Sequence, residues 1–180
     1  MSLKYPKPIL VEPRVFGDAR GYFFEPYNRN TFLAQWGIDD TFVQDNESYS
    51  NRGVLRGLHY QAGDKAQAKL VRVVTGSVLD VVVDIRKSSP YFGQVYSYVL
   101  EDTKKHMLFV PRGFAHGFAV LSETAIFQYK VDNFYAKDSE RGIHYADKRL
   151  AIDWQLPADS ILVSDKDKVL PAFENAEYFD

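Results

Sequence analysis

Apolar and polar residues alternate in short runs along most of this chain, and few runs have helical spacing. The densest signal is Gln67–Arg86. There Lys69–Val74 and Ser77–Ile85 are rich in β-branched residues, and Thr75-Gly76 lies between them. That pattern predicts two strands joined by a hairpin turn. Ile9–Phe16 is a short apolar run closed by Gly17-Asp18-Ala19-Arg20-Gly21, which predicts a hairpin loop with Tyr22–Tyr27 as its return strand. Phe42–Asn46, Val54–Gln61, Val95–Leu100, His106–Val110, Phe118–Leu121 and Ala125–Val131 add further strands. One helix is expected, capped by Asn28 or Asn30, running through Gln35-Trp36 and stopped by Gly37. From Asp138 onward the chain reads as loop and short helix. Many short strands broken by Gly and Pro mean an antiparallel sandwich or small barrel. No repeat or linker interrupts residues 1–180, so one domain is expected.

The strand Val54–Gln61 reads VLRGLHYQ. Strict alternation places Arg56 on one face with Val54, Leu58 and Tyr60. It places His59 on the other, with Leu55, Gly57 and Gln61. For Arg56 and His59 to serve one site the strand must bend, and Gly57 is where a bulge is tolerated.

Composition narrows the function. The 180 residues can bury roughly 70% of the surface that the unfolded chain exposes. Aromatics reach 15%, with 13 Phe and 12 Tyr, which favours sheets or sites that stack flat ligands. Net charge is −2 with both signs spread along the chain, so no basic stripe argues for nucleic acid. The absence of cysteine excludes disulfides, thiolate metal sites and cysteine nucleophiles. No apolar run approaches a membrane span and the N-terminal stretch lacks a signal peptide's apolar core, so the expected location is cytoplasmic.

Few residues carry candidate chemistry. Taken alone, His59 reads as a core histidine bonded to backbone. Lys69 alternates with Val71 and Val73, and an inward ammonium must find a partner or a ligand. At a strand end it could equally snorkel to water. Tyr129 alternates with Phe127 and Val131. A base, a cation and a phenol lining one barrel would suit proton abstraction beside a carbonyl. Whether the three converge is open at this level. Arg20, Arg56 and Arg72 have the fork that pairs with phosphate, although a surface ion pair is the default for each. His106 and His144 read as surface or edge residues. Ser164–Lys168 reads as a solvated turn.

Pro111-Arg112-Gly113-Phe114-Ala115-His116 has a PxGxxH pattern that resembles the second motif of the cupin barrels, with a tight Pro-Gly turn at a strand end and His116, three residues on, thrown towards the barrel mouth. The first cupin motif supplies two histidines and a glutamate to a metal. Here the matching stretch is His59-Tyr60-Gln61, and Lys69 stands where an acidic ligand is expected. Two histidines far apart in sequence beside an ammonium make a poor metal cage, so a barrel without a metal is expected.

Eight stretches in order resemble the dTDP-4-dehydrorhamnose 3,5-epimerase family of metal-free cupins. They are Val15–Glu25, Phe42–Ser48, Gly53–Gln61, Ala68–Gly76, Asp80–Gly93, Phe109–Phe118, Tyr129–Tyr135 and Val163–Asp167. The resemblance implies an all-β, cupin-type jelly roll (a double-stranded β-helix) with a few short peripheral helices. It implies an isomerase without cofactor that inverts C3 and C5 of dTDP-4-dehydro-6-deoxy-D-glucose, giving dTDP-4-dehydro-L-rhamnose for polysaccharide biosynthesis. His59 would be the base, oriented by Asp167, which overturns the reading of the charged run as a solvated turn. Lys69 would hold the enolate oxygen and Tyr129 would be the acid. Arg20, Glu25, Gln44, Asn46, Arg56, His116, Glu140 and Lys166 fall where the family contacts the nucleotide sugar. The family forms homodimers that exchange N-terminal strands, so Arg20 and Glu25 would serve the neighbour's site.

Three positions depart from the family pattern. Ala68 replaces a usual glycine, and His144-Tyr145-Ala146 replaces a tryptophan-asparagine pair. Phe134 stands where a second tyrosine is common beside the sugar, which leaves a single-centre epimerase or ketoisomerase as the alternative. A sugar-nucleotide-binding cupin without catalysis is a further alternative. The joint presence of His59, Lys69, Tyr129 and Asp167 argues against it, since a binder needs no base and acid.

Overall fold

The computed structural model describes residues 4–180. Strands β1 (Ile9–Val11), β2 (Phe16–Asp18) and β3 (Gly21–Phe23) precede helix α1 (Arg29–Trp36). Asn28 caps α1 by accepting from the Asn30 and Thr31 amides, and Gly37 ends it in the left-handed conformation. Eight strands follow: β4 (Gln44–Asn51), β5 (Leu55–Gln61), β6 (Lys69–Thr75), β7 (Ser77–Asp84), β8 (Val95–Glu101), β9 (Met107–Val110), β10 (Phe114–Val120) and β11 (Thr124–Val131). A short β12 (Glu140–Gly142) and a one-turn helix α2 (Asp165–Lys168) lie in the tail.

Pairing among the eight strands is antiparallel and nested: β4 with β11, β5 with β10, β6 with β9, and β7 with β8. In effect one long hairpin is rolled up so that its strands fall into two facing sheets. Their orders are β1-β9-β6-β11-β4 and β12-β5-β10-β7-β8. This is the jelly roll. Thr75-Gly76 is therefore not the expected hairpin turn, because β6 and β7 belong to different sheets. Gly76, at φ +85°, carries the chain round a corner, and a Cβ there would lie 2.2 Å from the Thr124 carbonyl oxygen.

Inward side chains of both sheets form the central core, including Val71, Val73, Val78, Val82, Phe118 and Phe127. The tail covers the outer face of the second sheet, packing Ile143, Leu150, Trp154 and Phe173 on Leu58, Leu79, Val81 and Val83. That second covering explains why Ser77–Asp84 is buried almost throughout instead of on alternate residues. On the first sheet, α1 and β1 bury Phe32, Val11 and Phe109 together. The β2–β3 hairpin is different. Its aromatics Phe16, Tyr22 and Phe23 are 49–65% exposed, and it pairs with no other strand among the described residues.

Candidate active site

The site begins at an irregularity in β5. Along the β5–β10 pairing His59 lies opposite His116, whereas Arg56 lies opposite Phe118. Gly57 and Leu58 together therefore oppose one residue, Gly117, which makes a bulge. The bulge reverses the parity expected from strict alternation. Leu55, Leu58 and Tyr60 pack under the tail, while Arg56 and His59 both face the space between the sheets. Only glycines fit this crossing. Gly57 has φ +127°, and a Cβ on it would come within 2.5 Å of the Gly117 Cα.

His59 meets its partner through the tail. Leu162 bridges to Val54 beside the start of β5 and exchanges backbone hydrogen bonds with Gly53 and Leu55. Two residues later Ser164 caps α2, its Oγ accepting from the Asp167 amide at 3.1 Å. The charged run is thus a helical turn with Asp165 and Lys168 paired on its surface and Asp167 only 3% exposed. Asp167 Oδ1 lies 2.7 Å from His59 Nε2, and the Gly57 amide donates to Oδ2 at 3.4 Å. Burial pushes the Asp167 carboxyl up, but the His59 and Gly57 hydrogen bonds outweigh it and leave the group below the ordinary carboxylate value. An ionised Asp167 accepts Nε2–H, which leaves the Nδ1 lone pair free to take a proton.

Across the cavity stands the other sheet. Lys69 opens β6 and Tyr129 lies on β11, where they are diagonal neighbours, with Lys69 Nζ 6.0 Å from the Tyr129 ring centre. Burial draws Lys69 from 10.5 down to about 8, opposed by the charges of Asp80 and Glu140. Burial pushes the Tyr129 hydroxyl up, opposed by Arg56, so the phenol keeps its proton at neutral pH. The cavity has two lobes. A larger one of about 520 Å³ is lined by Arg56, His116, Phe118, Phe127, Lys166 and Asp167. A smaller one of about 270 Å³ is lined by Gln44, Asn46, Gln67, Tyr135 and Glu140. His59, Lys69 and Tyr129 line both and mark their junction. Glu140 is held by Lys166 at 2.5 Å and by the Tyr135 hydroxyl at 2.8 Å.

Ten of the twelve anticipated residues therefore line one cleft. Arg20 and Glu25 line neither lobe. Arg20 pairs with Asp18 at the tip of the β2–β3 hairpin, and Glu25 accepts from Asn28 at 3.4 Å. Arg72 points to the outer face of its sheet and donates to Gln128. His116 follows the Pro111–Gly113 turn at the end of β9 and belongs to β10, which already starts at Phe114. It sits inside that strand, 6% exposed, with Nε2 at 2.9 and 3.0 Å from the two oxygens of Asp80. Phe134 is 61% exposed and lines neither lobe, whereas its neighbour Tyr135, itself 54% exposed, lines the smaller lobe through its hydroxyl bond to Glu140. Sequence reasoning also missed Asp80. The signal was a carboxylate on the inward row of an apolar strand, between Val78 and Val82. Among the described residues no three His, Cys, Asp or Glu side chains are grouped to hold a metal.

The dTDP-4-dehydrorhamnose 3,5-epimerase family model matches residues 2–175. The chain is 52% identical over 179 residues to the dTDP-4-dehydrorhamnose 3,5-epimerase of Shigella flexneri, covering 99% of this chain and 98% of that one. Its fold superposes with a TM-score of 0.89 on the dTDP-4-dehydrorhamnose 3,5-epimerase of Elizabethkingia anophelis, at 51% identity over 93% of this chain and 92% of the other. The same score relates it to a Legionella pneumophila dTDP-6-deoxy-D-glucose-3,5-epimerase in complex with dTDP-4-keto-L-rhamnose, at 46% identity over 93% of this chain and 88% of that one. A jelly roll with this cleft, matched by a family model and by relatives over nearly its whole length, belongs to the dTDP-4-dehydrorhamnose 3,5-epimerase family.

Proposed function

We propose that this protein inverts C3 and C5 of dTDP-4-dehydro-6-deoxy-D-glucose to give dTDP-4-dehydro-L-rhamnose, with His59 as base and Tyr129 as acid. The observation that carries the reading is the pairing of His59 with a buried carboxylate on one sheet, opposite a protonated phenol and an ammonium on the other. A proton beside the C4 ketone passes to His59, and its electron pair moves into the C3–C4 or C4–C5 bond as the ketone becomes an enolate. Lys69 balances the charge on that oxygen. Reprotonation from the Tyr129 side gives the inverted carbon. The remaining cleft residues, Gln44, Asn46, Arg56, His116, Glu140 and Lys166, are assigned to substrate binding. The Arg56 and Lys166 cations suit the diphosphate.

Arg20 and Glu25 are assigned to a partner's cleft. A two-stranded hairpin with exposed aromatics is marginal alone and gains by adding to a second copy. A solution mass of one chain, 20.7 kDa, instead of two would defeat that assignment.

Deuterium uptake tests the chemistry. Proton NMR in deuterated buffer should show label entering both positions flanking the ketone, each with inversion, and uptake should survive exhaustive chelation. One labelled and inverted centre would make this a single-centre epimerase. Tight binding without label would make it a binder. Loss on chelation with rescue by a divalent ion would sink the metal-free mechanism.

The pH profile has a definite sign. Lys69 is an ammonium below about 8 and a neutral amine above it. Since the enolate needs the cation, kcat should fall as pH rises through about 8, approaching tenfold per pH unit beyond. A flat profile to pH 10 would remove Lys69 from the oxyanion role.

A further inference from the structure

We propose that Asp80 is a positioning residue of this cleft, fixing His116 with Nε2–H turned towards itself and holding Lys69 as an ammonium. The inference rests on the epimerase reading for the importance of Lys69, while the placement of Asp80 rests on geometry alone. Asp80 is fully buried on β7, on the inward row with Val78 and Val82, where an apolar residue would continue the core. Both its oxygens lie within 3.0 Å of one ring nitrogen, His116 Nε2, and no other side chain bonds it among the described residues. One N–H shared between two oxygens fixes the ring's tautomer but does not neutralise a buried carboxylate.

The cation that its charge reaches is Lys69, which has no direct ion pair among the described residues. Lys69 is faced by His59 from β5, His116 from β10, Tyr129 from β11 and Glu140 from β12, besides Asp80 from β7. Its neighbour on β9 is the apolar Val110, β4 contributes Gln44, Asn46 and the charged Glu47, and Arg56 from β5 with Lys166 and Asp167 from α2 line the same cavity. Of the two carboxylates whose charge reaches Lys69, Glu140 is already engaged by Lys166, whereas Asp80 pairs with no lysine or arginine among the described residues. The two histidines thus lie opposite each other on paired strands, each backed by its own aspartate, and the two aspartates act on different partners.

Two measurements test this. Asp80→Asn keeps the shape and removes the charge, so the alkaline limb of kcat should move acidward by about one pH unit, the lower end of what a nearby opposite charge contributes. Activity should then fall about sixfold more at pH 8.5 than at pH 6.5. An Asp80→Asn enzyme with a wild-type alkaline limb would overturn the proposal. Should that variant fail to fold, the native protein decides. With 15N-labelled histidine, His116 should carry a proton on Nε2 at pH 7, and a bare Nε2 would overturn the proposal. A native enzyme that takes up no deuterium would instead defeat the epimerase reading, and the histidine spectrum would still judge the placement of Asp80.

Discussion

Asp167→Asn is expected to lower turnover by about 10²–10⁴-fold, the span usual for acid–base groups, while leaving the fold intact. The side chains are nearly the same size, and the α2 cap from Ser164 runs through the Asp167 amide, which the change leaves in place. What changes is the proton on His59. The carboxylate can only accept, so it selects the Nε2–H tautomer and leaves Nδ1 basic. A carboxamide can turn its NH₂ towards Nε2, which moves the proton to Nδ1 and blocks the base. It also loses the charge that stabilises the imidazolium once the proton is taken. Steady-state kinetics with circular dichroism as a folding control would measure this. Near wild-type turnover with unchanged pH dependence would return the tail to a structural role. Asp84, the other carboxylate of β7, is engaged by Arg86 at 2.6 Å and Ser89 at 2.7 Å. It lines neither lobe, so it offers no substitute.

Tyr129→Phe is expected to separate exchange from inversion. The change removes one hydroxyl from the wall opposite His59. His59 can still remove a proton and return one from solvent to the same face, so deuterium uptake should persist while inversion falls. His59→Ala and Lys69→Ala should suppress both together, since the enolate precedes either outcome. For Lys69 the loss should be on the order of 10²–10³-fold, as for other oxyanion donors. The motive is the placement of the two groups: His59 on β5 in one sheet, Tyr129 on β11 in the other, meeting at the junction of the lobes. Proton NMR in deuterated buffer follows label and configuration in one experiment. Equal loss of exchange and inversion in Tyr129→Phe, with substrate binding intact, would mean that Tyr129 helps to form the enolate or positions the sugar.

Local pattern determined a good deal of this protein. Period-two runs located the main strands, and Asn28 and Gly37 marked both ends of α1, because strand faces and helix caps depend on residues a few positions apart. Residue chemistry also separated His59, Lys69 and Tyr129 from the apolar rows around them. Tertiary structure decided the rest. A corner at Gly76 has the same local signature as a hairpin turn, and only the pairing of β6 with β9 and β7 with β10 distinguishes them. Alternation assigns Arg56 and His59 to opposite faces until the bulge at Gly57 reverses the parity, and that bulge exists because Gly117 on another strand admits the close approach. Period two no longer applies beyond the end of β11, so which of Phe134 and Tyr135 lines the cleft could not be read from the pattern. Asp167 lies in a run that composition reads as solvated. It is buried because the tail, covering the outer face of the second sheet, brings it to a histidine 108 residues earlier in the chain. Burial of a charge is set by what packs over it, and here that partner is remote in sequence.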